Sequence, residues 1–292
     1  MRWRAVLCVL ALAGCSAPAP PPAPTDELLR QQVQAGHASY TQERGEEAAN
    51  RYREALRRAQ ARDDLAAIGD LGYDLAVAEL QANAPDRALA AARATREELE
   101  RRGVAPFPAL LLVEATALYR LGWLDAAEAL AKRARASEDA TAAARANFLL
   151  GLIADQRNDQ AGLEAAVAAL GAVTAPPLQA DAAELRARDA LRRGEWDQAR
   201  REAERAAALR QDDLDYRGLA RALALAGEAA QHAGETATAA DLFLRAGRSA
   251  AVQGDTISAR TWLRQSVALA PGQPVGQAAS ELLRTLDADE GQ

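Results

Sequence analysis

Cysteine occurs only twice in 292 residues, as Cys8 and Cys15. The chain beyond position 15 therefore has no disulfide framework, no cysteine nucleophile and no cysteine metal ligand. Histidine is equally scarce: His37 and His232 lie far apart, and no ligand cluster has a useful metal spacing. Lysine occurs once, as Lys132, so arginine carries the positive charge. The net charge of −6 argues against an ordinary basic nucleic-acid binder. A glycine-rich phosphate loop, His-Glu-x-x-His and Gly-x-Ser-x-Gly are all missing. The paired carboxylates Glu46-Glu47, Asp63-Asp64 and Asp212-Asp213 read as helix starts, where negative charge is favoured. The sequence thus predicts no enzyme, no cofactor and no metal. Aromatic residues are only 4%. Alanine, by contrast, is roughly a quarter of the chain. It is the best helix former and a poor strand former, so a β-sandwich or barrel is excluded and close-packed helices are expected.

The first residues read as an address. Arg2 and Arg4 precede an apolar run from Ala5 to Ala13, too short for a permanent membrane span. Leu12-Ala13-Gly14-Cys15 resembles the bacterial lipobox and matches it at all four positions. The resemblance implies a signal peptide over 1–14, cleavage before Cys15, and lipidation of Cys15 on its sulfur and new amino group, palmitate included. Cys8 would leave with the leader. Serine at position 16, rather than aspartate, points by the enteric sorting rule to the periplasmic side of the outer membrane. Inner-membrane anchoring is the alternative. Residues 15–25 then form the lipidated cysteine and a proline-rich tether, APAPPPAP over 17–24, extended at about 3.1 Å per residue.

From position 26 the pattern is helical, broken at short intervals by Gly, Asn and Pro. Four stretches repeat a glycine turn followed by small and bulky apolar positions. They are Gly122, Ala127, Ala131, Ala134; Gly194, Ala199, Ala203, Ala206; Gly234, Ala239, Phe243, Ala246; and Gly254, Ala259, Leu263, Val267. Weaker copies include Tyr40, Ala48, Tyr52 and Ala55; Leu80 and Ala88; and Gly151, Leu163, Val167 and Leu170. These residues resemble the tetratricopeptide repeat, a helix–turn–helix unit of 34 residues. The resemblance implies an all-α solenoid over 26–287 of about fourteen helices in seven hairpins, stacked because one hairpin cannot bury its apolar face alone. A capping helix over 275–286 and a disordered tail, 288–292, complete the layout. Two departures stand out. The tryptophan of the first helix is absent, and spacing varies: Gly194 to Gly234 is 40 residues, Gly234 to Gly254 only 20. The short step makes the helix around Phe243 serve two overlapping units.

In this repeat family the first helix of each unit lines a concave groove that holds partner segments. Carried onto this sequence, the groove row includes Tyr40, Tyr73, Tyr119, Arg120, Phe148, Arg188 and Arg192, with His37 and His232 at its ends. Aromatics and arginine are favoured interface anchors; packing between helices is the competing role for each ring. Trp123, Trp196 and Trp262 read as inter-repeat packing, and Arg200 to Arg210 as a solvated face. The layout is similar to repeat lipoproteins that assist outer-membrane β-barrel assembly, pilus secretin assembly or cell-wall synthesis. The expected function is an envelope scaffold or adaptor that binds a protein or peptide partner. The alternatives are a self-associating structural lipoprotein, or a cell-wall-related enzyme with an unrecognised site.

Overall fold

The computed structural model describes residues 26–289. The leader, Cys15, the tether and the last three residues lie outside the described part. Fourteen helices follow one another within it, with no strand. The first hairpin is α1 (Glu27–Thr41) with α2 (Gly45–Ala61), the second α3 (Leu65–Gln81) with α4 (Pro85–Arg101). Then come α5 (Pro108–Arg120) with α6 (Leu124–Arg135), and α7 (Ala140–Gln156) with α8 (Gln160–Ala169). The last three pairs are α9 (Pro176–Arg192) with α10 (Trp196–Asp212), α11 (Tyr216–His232) with α12 (Thr236–Val252), and α13 (Thr256–Leu269) with α14 (Pro274–Asp289).

Local chemistry starts and stops these helices. The side chains of Asp26, Asp64, Asp139, Asp159, Asp215 and Asp255 each accept a backbone N–H at a helix start, filling otherwise orphan donors. Proline opens α4, α5 and α9, where its missing N–H costs nothing. Within the first six hairpins, one left-handed residue joins the two helices: Glu43, Asn83, Gly122, Asn158, Gly194 and Gly234. These turns recur every 36 to 40 residues, more than the family's unit, because most of the helices are 17 residues long. Glu43, Asn83 and Asn158 stand where glycine would mark the turn, which is why those copies look weak in sequence. Glu46 and Glu47 do lie in the first turn of α2, and Asp64 caps α3. Asp212 and Asp213, however, end α10, and Asp215 starts α11.

The repeat positions form the core. Ala127, Ala131, Ala134, Ala199, Ala203, Ala206, Ala239, Ala246, Ala259 and Leu263 are all fully buried, and Phe243 nearly so. Small residues there let helices approach closely. At Gly151 a Cβ atom would lie 2.5 Å from Leu185 Cδ1 and 2.9 Å from Ala166 Cβ, so α7 sits against α8 and α9 with no room for alanine. Three buried glutamates tie neighbouring helices electrostatically. Glu79 of α3 pairs with Arg53 and with Arg87, the latter at 2.6 Å; Glu114 of α5 pairs with Arg96 at 2.7 Å; Glu184 of α9 pairs with Arg210 at 2.7 Å.

The stacking pattern changes near the end. The first helices of successive hairpins touch along the row α3, α5, α7, α9 and α11. After that α12 packs on α14. The helix around Phe243 thus closes the sixth hairpin and opens the next, as the 20-residue step implies. At the C-terminus α14 runs to Asp289, beyond Leu286, and Arg260 binds Asp287 at 3.1 Å.

A closed and charged groove

The inner wall is built from the first helix of each hairpin. Burial in the coil raises the hydroxyl pKa of Tyr40, Tyr73 and Tyr119 above the usual tyrosine value. Tyr40 also feels Tyr73, Asp215 and Arg145, which come from α3, the start of α11 and α7. Arg217 of α11 donates to Gln81 O at the end of α3, so the second and sixth hairpins meet across the interior. Water reaches the Arg120 guanidinium, yet protein surrounds it. Burial, reinforced by Arg221 and Arg217, pushes its pKa down to about 10.

Each residue expected in the groove has a definite place. Tyr40 is half-buried against the core around Tyr52 and Leu75. Tyr73 meets Phe107 edge-on, with centroids 5.7 Å apart. Tyr119 bridges two apolar clusters, one around Leu118 and one around Leu152. Phe148 packs on the second of these. All four rings are therefore anchored in the wall while keeping part of their surface accessible. Arg120 donates to the Leu80 carbonyl at 2.8 Å. Arg188 and Arg192 are bound internally, to Asp155 at 2.8 and 2.6 Å, and Arg188 also reaches Glu184 at 3.1 Å. His37 shares a hydrogen bond of 2.9 Å with the Tyr52 hydroxyl. His232 stacks on Trp196, centroids 4.7 Å apart.

Two expectations are corrected. Trp123 is 55% exposed at the head of α6 and does not pack between repeats; Trp262 does pack on the C-terminal core. Arg201 and Arg205 are solvated, but Arg210 is only 6% exposed. It binds Asp181 at 2.9 Å, Glu184 at 2.7 Å and Asp215 at 2.5 Å. One buried residue at the end of a run of arginines carries no sequence mark that separates it from its solvated neighbours. Burial pushes the Glu184 carboxyl up, but Arg221, Arg188 and Arg210 together hold it down at about 2. Asp181 goes the other way, pushed up to about 6 by burial against the pull of Arg210.

Arg145, one turn before Phe148 on the same face of α7, is exposed, has no hydrogen bond or ion pair among the described residues, and acts electrostatically on Tyr40 and Tyr73. The groove thus offers aromatic surface next to cations that no carboxylate neutralises. Among the described residues no group of three or more His, Cys, Asp or Glu could hold a metal ion, and no helix is long and apolar enough to cross a membrane.

No family model and no curated protein matches the chain. Solved structures do. A tetratricopeptide repeat protein from Parabacteroides merdae aligns with a TM-score of 0.50 at 15% identity, over 89% of this chain and 98% of that one. The Cut9–Hcn1 hetero-tetramer of the APC/C gives 0.54 at 16% identity, over 91% of this chain and 50% of the other. The apo form of RapI gives 0.50 at 11% identity, over 88% and 80%. At such identities the likeness concerns the fold. The helix hairpins, their buried alanines and these superpositions agree: the chain has the tetratricopeptide-repeat solenoid fold.

Proposed function

We propose that this protein is an envelope lipoprotein, held at the outer membrane through Cys15, and that its coil is a scaffold for a protein partner. One observation carries the binding half. Tyr40, Tyr73, Tyr119 and Phe148, each partly exposed, line one inner wall together with Arg120 and Arg145, which no carboxylate pairs. Aromatic rings and arginine supply most of the energy at protein interfaces, and a rigid wall that holds them in place lowers the ordering cost of binding. Among the structures of like fold, Cut9–Hcn1 is itself a complex of two proteins. The envelope half rests on Leu12-Ala13-Gly14-Cys15 and the tether behind it. An anchor with more than one acyl chain holds a protein stably at a membrane and concentrates it near partners there.

The test is in-cell cross-linking of the full chain followed by mass spectrometry. A recurrent partner linked through the inner wall supports the scaffold reading. Arg145→Glu, which disturbs no internal contact, should abolish that link. Tyr73→Ala with Tyr119→Ala should do the same while helicity is kept. Full capture by both variants would remove the groove from consideration. Cys15→Ser should lose metabolic labelling by palmitate and leave the membrane fraction; unchanged fractionation would refute the anchor.

A further inference from the structure

The last turn of a helix leaves carbonyls without intrahelical partners. At the end of α3 two of these are filled from elsewhere in the coil. Arg120 of α5, the next hairpin's first helix, donates to Leu80 O at 2.8 Å. Arg217 of α11 donates to Gln81 O, from 136 residues away, and the same nitrogen reaches Gln253 O at 3.2 Å. Gln253 caps the end of α12. Arg217 therefore stands between the C-termini of two helices, where a cation is favoured by both dipoles. Gln81 in turn donates through its side chain to Tyr40 O at 3.1 Å, so the ends of α1, α3 and α12 are joined through two side chains. The backbones of α3 and α11 share at most a marginal contact. The link across the coil is made by side chains and can break without unfolding a helix.

The acceptors in this link are neutral. Of the nearby carboxylates, Asp215 is engaged by Arg210 and by Gly218 N and Asp255 by Ser258 N, while exposed Glu43, which Arg217 attracts, stops short of an ion pair with it. Neither Arg120 nor Arg217 forms an ion pair, although the chain carries 41 acidic residues against 35 basic ones. A carboxylate offers a guanidinium an opposite charge and a bidentate, fork-to-fork geometry that a neutral carbonyl lacks. An incoming carboxylate therefore competes well for both guanidinia, and Arg145 and Arg221 add to the attraction along the same wall.

We propose that Arg217 is a clasp that holds the coil closed, and that the partner is an extended acidic segment whose carboxylates take Arg217 and Arg120 from the α3 carbonyls and so open the coil. The second half rests on the groove reading above; the first does not.

The experiment is a distance measurement by pulsed electron resonance on the full chain. Spin labels go in through a genetically encoded amino acid at two exposed positions, Arg51 on α2 and Arg248 on α12. Arg217→Ala should lengthen and broaden the distance distribution, Arg217→Lys should do so less, and both should keep native helicity. The exposed control Arg245→Ala should change nothing. A ten-residue glutamate peptide at low salt should open the native coil as Arg217→Ala does, whereas the matching glutamine peptide should not. Arg120→Ala should weaken binding of the glutamate peptide about tenfold, the loss of one charge-assisted bond. An unchanged distance in Arg217→Ala overturns the clasp. Opening by the glutamine peptide, or none by the glutamate peptide, overturns the acidic partner. Failure of the groove reading looks different, because Arg145→Glu would then leave partner capture intact whatever the distances do.

Discussion

Arg210 lies over the ring of Phe148, its guanidinium carbon 5.8 Å from the ring centroid. The contact joins α10 to α7 across α9, and the same arginine grips three carboxylates. A cation on an aromatic face gains about 0.5 to 2 kcal/mol. Breaking a buried pair costs far more than the pair contributes, because a charge is stranded.

Arg210→Ala should therefore destabilise the fold by about 3 to 5 kcal/mol, leaving buried Glu184 poorly compensated. Arg210→Met combined with Glu184→Leu should recover part of the loss, since neither charge is then stranded. Urea denaturation followed by circular dichroism reads both. An Arg210→Ala midpoint equal to that of the native chain would mean that the network bears no load.

Acidity should separate two neighbours in that network. Asp181, raised to about 6 by burial, holds its proton more tightly folded than unfolded. Its charged form therefore costs stability above pH 6, and the cost fades as pH falls from 6 toward 4. Glu184, held at about 2, contributes stability that is full above about 4.5 and lost as pH falls through 2, so it is level in that window. Asp181→Asn should gain on the native chain at pH 7.5, and the gain should shrink steadily to pH 4.5. A gap that ignores pH would contradict the assignment.

Much of this was legible because glycine and alanine mark geometry directly. Gly122, Gly194, Gly234 and Gly254 take positive φ, and the alanines that follow them are buried. The 20-residue step at Gly254 announced that α12 is shared. Where Glu43, Asn83 and Asn158 hold the same turn, the mark is fainter, since asparagine tolerates the left-handed region and glutamate gives no hint of it. The side chains that close the coil were not legible at all. The Arg217–Gln81 contact depends on the summed rotation of four hairpins, and no local pattern encodes that sum. Arg210 eludes the sequence for a related reason: its burial is set by α9 and the start of α11, not by its own helix.

Two helical glycines should respond in opposite senses to alanine. Replacing glycine within a helix ordinarily stabilises by about 0.5 to 1 kcal/mol. At Gly69 the new Cβ would lie 3.5 Å from Leu99, an ordinary contact, so Gly69→Ala should stabilise. At Gly151 it would lie 2.5 Å from Leu185 and 2.9 Å from Ala166, and overpacking costs about 1 to 3 kcal/mol. Gly151→Ala should lower the denaturation midpoint, and Gly151→Ala with Leu185→Ala should relieve the clash while opening a cavity at Leu185. Equal shifts of one sign in the two single variants would refute the close approach of α7 and α9.

Leu214 is the least suited residue for its place. It holds φ at 58° in the turn between α10 and α11, a conformation that crowds Cβ of an L-residue at a cost of about 1 to 2 kcal/mol. Its side chain is 65% exposed, so little burial offsets the strain. Every other left-handed residue in the described chain is glycine, asparagine, aspartate or glutamate. Leu214→Gly should release the strain but loosen the unfolded chain, for a net gain of about 0.5 to 1 kcal/mol. Leu214→Asn should gain a similar amount without the added freedom, and Leu214→Val should lose stability, because branching at Cβ worsens the same crowding. The order Asn and Gly above Leu above Val, read from thermal midpoints, is the signature of backbone strain. If Val matches Leu and Gly falls below both, the leucine is instead held by a contact on that edge of the coil.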